Sequence, residues 1–115
     1  MTFDEYQKRA VTTDLGKNKS HKLAHDPAYV DKILSLVGEA GEVAEKYKKI
    51  IRDKKGIISR QDKKEITKEL GDVLWYIAVI ADYLGVALDD LAQANLEKLF
   101  SRQKRGALGG KGDNR

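Results

Sequence analysis

Four carboxylates are placed where they can do chemistry. Glu39 and Glu42 are three residues apart, and so are Glu69 and Asp72. On a helix, residues three apart project from neighbouring points of one face. Several carboxylates in one small site repel one another unless a cation sits between them. The chain has no cysteine and only two histidines, His21 and His25. Thiolate zinc and cysteine nucleophiles are therefore excluded, and little room is left for histidine-based metal sites. An oxygen-only donor set suits hard divalent ions, Mg²⁺ or Mn²⁺. The di-iron carboxylate pattern is disfavoured, because it needs Glu-x-x-His pairs. Mg²⁺ held by carboxylates with open positions usually meets the phosphates of a substrate. A single pair at this spacing is also an ordinary solvated helix face. The weight rests on two pairs in register.

Register depends on the elements that carry the pairs. The apolar residues recur at helical spacing, and there is one proline, Pro27. Phe3, Tyr6, Gln7, Ala10 and Val11 mark a short first helix, and residues 14–25 read as a polar loop. Asp26-Pro27 predicts a helix start, with Asp26 as the cap and proline in the first turn. Ile33, Leu36, Val37, Ala40, Val43, Ala44, Tyr47, Ile50 and Ile51 form the stripe of helix two, which ends at Asp53-Lys54-Lys55-Gly56. Helix three begins near Ser59, with Ser59 and Asp62 in a capping-box-like spacing, and stops at Gly85. Its stripe is Ile66, Leu70, Val73, Leu74, Ile77, Ile80, Ala81 and Leu84. Helix four starts near residues 87–89, with Leu88, Leu91, Ala92, Leu96, Leu99 and Phe100 expected to face inward. The short loop around Gly56 predicts that helices two and three pack antiparallel. Glu42 lies fourteen residues before Gly56 and Glu69 thirteen after it, so the two pairs share one height. Gly38, Gly41 and Gly71 cost helix stability, so they predict close approach of another group.

The 115 residues suit one all-α domain, here assigned to residues 1–105, followed by a glycine-rich basic tail, 106–115. No apolar run is long enough to span a membrane. The acidic start, Met1-Thr2-Phe3-Asp4-Glu5, is unlike a signal peptide, so a cytoplasmic protein is expected. The wide stripes on helices two and three exceed what so short a chain can cover, which predicts a homodimer or a dimer of dimers. The net charge of +4 first suggests an anionic partner such as nucleic acid. The charge is blocked, however. Residues 46–68 carry ten basic and three acidic groups, while residues 69–101 carry one basic and six acidic. Acidic pairs flanking a basic stretch suit a metal cage beside cations for one polyphosphate better than a uniform DNA-binding surface. The competing reading is a non-catalytic helical nucleic-acid-binding or regulatory module.

The spacing Glu39-x-x-Glu42, twenty-six residues, Glu69-x-x-Asp72 resembles the ExxE…ExxD signature of the all-α NTP pyrophosphohydrolases, and of the MazG-like proteins in particular. The flanking Gly38-Glu39-Ala40-Gly41-Glu42 and Lys68-Glu69-Leu70-Gly71-Asp72-Val73-Leu74-Trp75-Tyr76 fit it, and Asn95-Leu96-Glu97-Lys98 looks like the family's Asn-x-x-Lys element. The resemblance covers roughly residues 25–105. It implies a four-helix-bundle-like fold completed by oligomerisation. It also implies Mg²⁺-dependent hydrolysis of a nucleoside triphosphate between the α- and β-phosphates, giving a monophosphate and pyrophosphate. By position, Glu39, Glu42, Glu69 and Asp72 match the metal ligands, and Asn95 and Lys98 match residues that approach the nucleotide. Catalysis falls to Glu42 and Glu39, with Glu42 as proton acceptor. Lys46 and Lys49 on helix two, with Lys98 and Arg102 on helix four, are candidates for the β- and γ-phosphates. Asn95 interrupts an apolar stripe and is expected to be a buried amide with partners. Glu45 and Glu65 are either outer ligands or surface charges. Trp75 and Tyr76 either stack on a base or pack in the core, the second being the preferred role of Trp75. His21, His25 and Tyr29 are candidates to close over the site. The tail is expected to be a mobile end, with folding over bound phosphates as the alternative.

Overall fold

The computed structural model describes residues 1–114. It contains four helices, α1 (Phe3–Val11), α2 (Pro27–Lys54), α3 (Arg60–Tyr83) and α4 (Leu88–Lys104), and no strand among the described residues. The expected all-α chain is what forms. Arg115, the last residue of the expected tail, lies outside the described residues.

Local chemistry sets the helix ends. Thr2 and Ser59 each close a capping box, with Glu5 and Asp62 respectively, so two exposed backbone amides are satisfied at each start. Pro27 opens α2 as expected, but Asp26 does not cap it. The Asp26 carboxylate instead accepts from the Lys22 and Leu23 amides and the Ser20 hydroxyl, tying down the loop that precedes the helix. Lys55 and Gly56 take positive φ values of 53° and 78° and turn the chain between α2 and α3. Gly85, at φ 70°, turns it between α3 and α4.

The long helices α2 and α3 form an antiparallel hairpin, and α1 lies across α3. The core is small. Ala28, Val79 and Tyr83 are buried together, with Tyr29 and Trp75 packed against them. Helix α4 leaves α3 at a bend of 103° and packs on α1 and α3, not on α2. Its direction is held from α1. The buried Gln7 donates through Nε2 to the carbonyls of Ala78 (3.1 Å) and Val86 (3.0 Å), and its Oε1 accepts from the Leu88 amide at 3.0 Å. The Asp4 carboxylate accepts from the Asp89 amide at 2.9 Å. Two side chains of α1 thus satisfy the first amides of α4, which has no side-chain cap of its own.

The apolar stripes of α2 and α4 are only partly covered. Ile33, Leu34, Val37 and Ile51 of α2 and Leu96 and Phe100 of α4 are exposed, contrary to the expectation that helix four turns its stripe inward. A Cβ built on Gly38, Gly41 or Gly71 meets nothing within 4 Å, so the close approach expected there is not made within the chain. The radius of gyration is 17.0 Å. A compact chain of this length would have about 13 Å.

No single helix among the described residues is long and apolar enough to cross a membrane.

Candidate metal centre

The α2–α3 hairpin brings the two acidic pairs face to face. Glu39 from α2 and Glu69 and Asp72 from α3 each offer a carboxylate oxygen, and these oxygens lie within 4.8 Å of one another. Glu39 and Glu69 are half-buried, whereas Asp72 is exposed. Glu39 Oε2 is buried without a hydrogen-bond partner, an arrangement that costs free energy unless something binds there. Glu42 stands outside this triad and contacts Glu69. The Glu69 carboxyl is held above its ordinary pKa, first by its hydrogen bond with Glu42, then by burial and by the charge of Glu42. Opposing these, Lys46 approaches Glu69 at 3.6 Å and Glu65 at 3.8 Å.

The chemistry of these donors fits a hard divalent cation. They are all oxygens, they are anionic, and one oxygen lacks any partner inside the protein. Beyond the carboxylates, toward the α2–α3 turn, lies a cleft of about 310 Å³ lined by Lys46, Lys49, Lys54, Asp53, Asp62 and Glu65 with Ile50 and Ile66. It is cationic on its α2 side, and Lys54 is paired with Asp62 at 2.7 Å. The Asp62 carboxyl is pulled down to a pKa of about 2, first by Lys54 and then by the amide and hydroxyl of Ser59. Glu65 therefore borders the site, whereas Glu45 is engaged with Lys48 at 3.1 Å on the outer face of α2.

The α4 candidates lie elsewhere. Lys98 is ten residues into α4, and Asp72 is eleven residues before the end of α3. With the 103° bend between the helices, a rise of 1.5 Å per residue puts the two at least ~20 Å apart. Lys98 and Arg102 are held by the tail instead. Asp113 Oδ1 lies 3.2 Å from Lys98 Nζ and 3.3 Å from Arg102 Nη2, and the same nitrogen donates to the Asp113 carbonyl at 2.6 Å. Arg102 is buried by this wrap, with its Nε unpartnered. The tail is thus laid along α4, not detached from it. Asn95 is exposed, not the buried amide expected, because the stripe it interrupts is itself uncovered.

The aromatic candidates pack away from the carboxylates. His21 stacks on Tyr83 with centroids 4.2 Å apart, and Tyr29 meets both rings edge-on and donates to the Tyr83 carbonyl at 2.8 Å. His25 is exposed beside Asp26. Trp75 packs on the core and donates to Thr13 Oγ1 at 2.8 Å, and Tyr76 sits edge-on to it.

Two groups near the centre carry no motif. Tyr6 of α1 faces Asp72, and its pKa is raised by burial and by that negative charge. Its place in the α1 stripe disguises it as a core residue. Lys32 is buried two turns before Glu39 on α2 and pairs with the buried Asp14 at 3.1 Å. The signal available for Lys32 is a lysine in the apolar register of α2.

The described residues thus form an all-helical protein whose antiparallel hairpin sets an oxygen-only acidic cluster beside a cleft of mixed charge. The MazG nucleotide pyrophosphohydrolase domain matches residues 31–107, and the chain belongs to that family. It is 52% identical over 82 residues to the Gene 37 protein of Mycobacterium phage L5, covering 71% of this chain and 72% of that one. It is 40% identical over 72 residues to the Uncharacterized protein YvdC of Bacillus subtilis (strain 168), covering 58% and 68% respectively. No solved structure matches the chain.

Proposed function

We propose that the protein hydrolyses (d)NTPs to (d)NMP and pyrophosphate, with Mg²⁺ or Mn²⁺ held by Glu39, Glu69 and Asp72. The observation that carries this reading is the buried, unpartnered Glu39 Oε2 beside the carboxylates of Glu69 and Asp72. When bound, a divalent ion supplies charge neutralisation for the phosphates and acidifies water. The chain's own groups do the rest. Glu42 lies outside the triad, which supports it as the acceptor of the proton from the attacking water. Lys46 and Lys49 line the adjoining cleft and take the β- and γ-phosphates.

The protein works as a homodimer or homotetramer in this reading. Exposed Ile33, Leu34, Val37 and Ile51 of α2, and Leu96 and Phe100 of α4, are covered by another copy. Asn95 and Lys98 then reach nucleotide across that contact, since α4 does not pack on its own α2, whereas Arg102, buried under the tail, joins them only if Asp113 releases it. The work fits nucleotide-pool housekeeping inside the cytoplasm.

The test is a panel of (d)NTPs incubated with protein and Mg²⁺, with the products separated by anion exchange. Monophosphate and pyrophosphate should appear in equal amounts. Glu69→Gln and Asp72→Asn should lower the rate at least about 100-fold, because each removes an anionic ligand of the ion that neutralises the phosphates. No cleavage of any nucleotide, or full activity in both variants, would sink the reading. Light scattering on the eluting protein gives the number of copies.

A further inference from the structure

Lys46 occupies an unusual place for a phosphate-binding lysine. It follows Glu42 by one helical turn, and its ammonium lies 3.6 Å from Glu69 and 3.8 Å from Glu65. Among the described residues, no other cation pairs with Glu39, Glu42, Glu69 or Asp72. The same side chain also lines the cleft shared with Lys49 and Lys54. Its flexible stem therefore serves two neighbouring environments, one wholly acidic and one of mixed charge.

We propose that Lys46 is the resident counter-ion of the carboxylate cluster, and that it cedes Glu69 to an incoming divalent cation and turns into the cleft toward a phosphate oxygen. This rests on the reading that the cluster binds such a cation. The physical consequence is a coupling between two ligands. A lone divalent ion must enter beside a positive charge, or strip that charge of its contact with Glu69 and leave it in a cleft whose Asp53 and Asp62 are already paired with Arg52 and Lys54, so ion binding alone is weakened. A polyphosphate in the cleft gives the displaced ammonium an anionic partner, which removes that penalty. By linkage, the nucleotide tightens the ion and the ion tightens the nucleotide by one common factor. Lys46 is thus a positioning residue that disfavours ion loading until the nucleotide arrives.

Calorimetric titration of the full chain with Mn²⁺, first alone and then with an α,β-methylene triphosphate analogue that resists cleavage, tests the proposal. Lys46→Gln should bind Mn²⁺ alone about fivefold tighter than the parent at low salt, and the gain should shrink as added salt screens the charge. The analogue should then improve Mn²⁺ binding less in Lys46→Gln than in the parent. Lys46→Arg keeps the charge and should resemble the parent in both titrations. Because Lys46 is only half-buried, the variants should keep the parental circular dichroism spectrum. Unchanged or weaker Mn²⁺ binding in Lys46→Gln, the same change in Lys46→Arg, or no Mn²⁺ binding by any of the three proteins would overturn the proposal. The titrations need no turnover. A chain that binds Mn²⁺ as described but releases no pyrophosphate from any nucleotide would refute the hydrolase reading and leave the role of Lys46 standing.

Discussion

Replacing Lys32 by methionine is the sharpest test of what holds the loop before α2 against the hairpin. Lys32 is 6% exposed and Asp14 is 2% exposed, with their charges 3.1 Å apart. Methionine keeps most of the side-chain volume, so the change removes charge without opening a large cavity. Breaking a buried pair by deleting one partner costs about 3–5 kcal/mol, because the other charge is left buried. Asp14 keeps hydrogen bonds from the Tyr83 hydroxyl and the Gly16 amide, which places the expected loss near the lower end, about 3 kcal/mol. For a domain of this size that is a fall of roughly 12 °C in melting temperature. The pH dependence separates this cause from general loosening. Burial pushes the Asp14 carboxyl up, but hydrogen bonds from Tyr83, Gly16 and Lys32 together hold it below its ordinary value. In the parent, its contribution is therefore present above about pH 4 and lost as pH falls through the depressed folded value. Without Lys32, two of the causes that lower the Asp14 carboxyl are gone, and its pKa moves up from the depressed parental value. The gap between parent and variant should then narrow as pH falls through the carboxylate range, from about pH 5 to about pH 3, because the parent loses the contribution of the paired carboxylate there. Asp14→Asn added to Lys32→Met should recover about 1–2 kcal/mol at pH 7 by removing the orphaned charge. Urea unfolding at fixed protein concentration measures all three. A loss below about 1 kcal/mol in Lys32→Met at pH 7, or a gap that stays constant from about pH 5 to about pH 3, would refute the reasoning.

Other outcomes follow from the same contacts. Gln7→Leu leaves two carbonyls and the Leu88 amide without their partner at the α3–α4 turn. It should cost about 2–3 kcal/mol in urea unfolding, and a loss under about 0.5 kcal/mol would contradict the pinning of α4 by α1. Asp113→Asn removes the charge that faces Lys98 and Arg102. Trypsin should cut the variant's tail several-fold faster while its melting temperature stays unchanged, and equal cutting rates would show that this contact does not secure the tail. Affinity for a short DNA duplex, read by fluorescence anisotropy, should be weak and should fall only gently with salt. A steep salt slope would instead favour a phosphate-backbone surface.

Much of the hairpin is legible in the sequence, and the reason is local. Ser59 and Asp62 write their capping box into four residues, and Gly56 and Gly85 sit where positive φ is needed. The nearly equal spacing of Glu42 and Glu69 from the turn then fixes the register of the acidic pairs, because an antiparallel hairpin has only one length scale. What is not legible depends on partners distant in sequence. Gln7 reads as one more residue of a short amphipathic helix, yet its partners lie 71, 79 and 81 residues away. Asp26 sits at the cap position of α2 but is captured by the loop amides of Lys22 and Leu23. Periodicity reveals that Leu96 and Phe100 share a face, but not whether their own chain or another copy covers it. Asn95 and Lys98 are readable as a motif for the same reason that their distance from Asp72 is not: spacing along α4 says nothing about the direction in which α1 holds that helix.

The basic stretch 46–68 carries the heaviest charge in the chain, and its pairing argues for an internal purpose. Lys46 faces Glu65 and Glu69, Lys48 faces Glu45, Arg52 faces Asp53, and Lys54 faces Asp62. Four of its ten cations thus meet carboxylates of the same hairpin, and Glu69 belongs to the acidic cluster itself. A surface built for a nucleic-acid backbone gains affinity from cations that face solvent and release counter-ions on contact. Cations already paired within the hairpin have less to offer such a partner. A small polyanion entering the cleft beside Lys46 and Lys49 can instead exchange one carboxylate contact for one phosphate contact, provided a second cation replaces the lysine among the acids. The blocked charge pattern and the folded ion pairs therefore agree with the proposed function, in which a metal ion among the acids and a polyphosphate beside Lys46 and Lys49 satisfy the two neighbouring sites together.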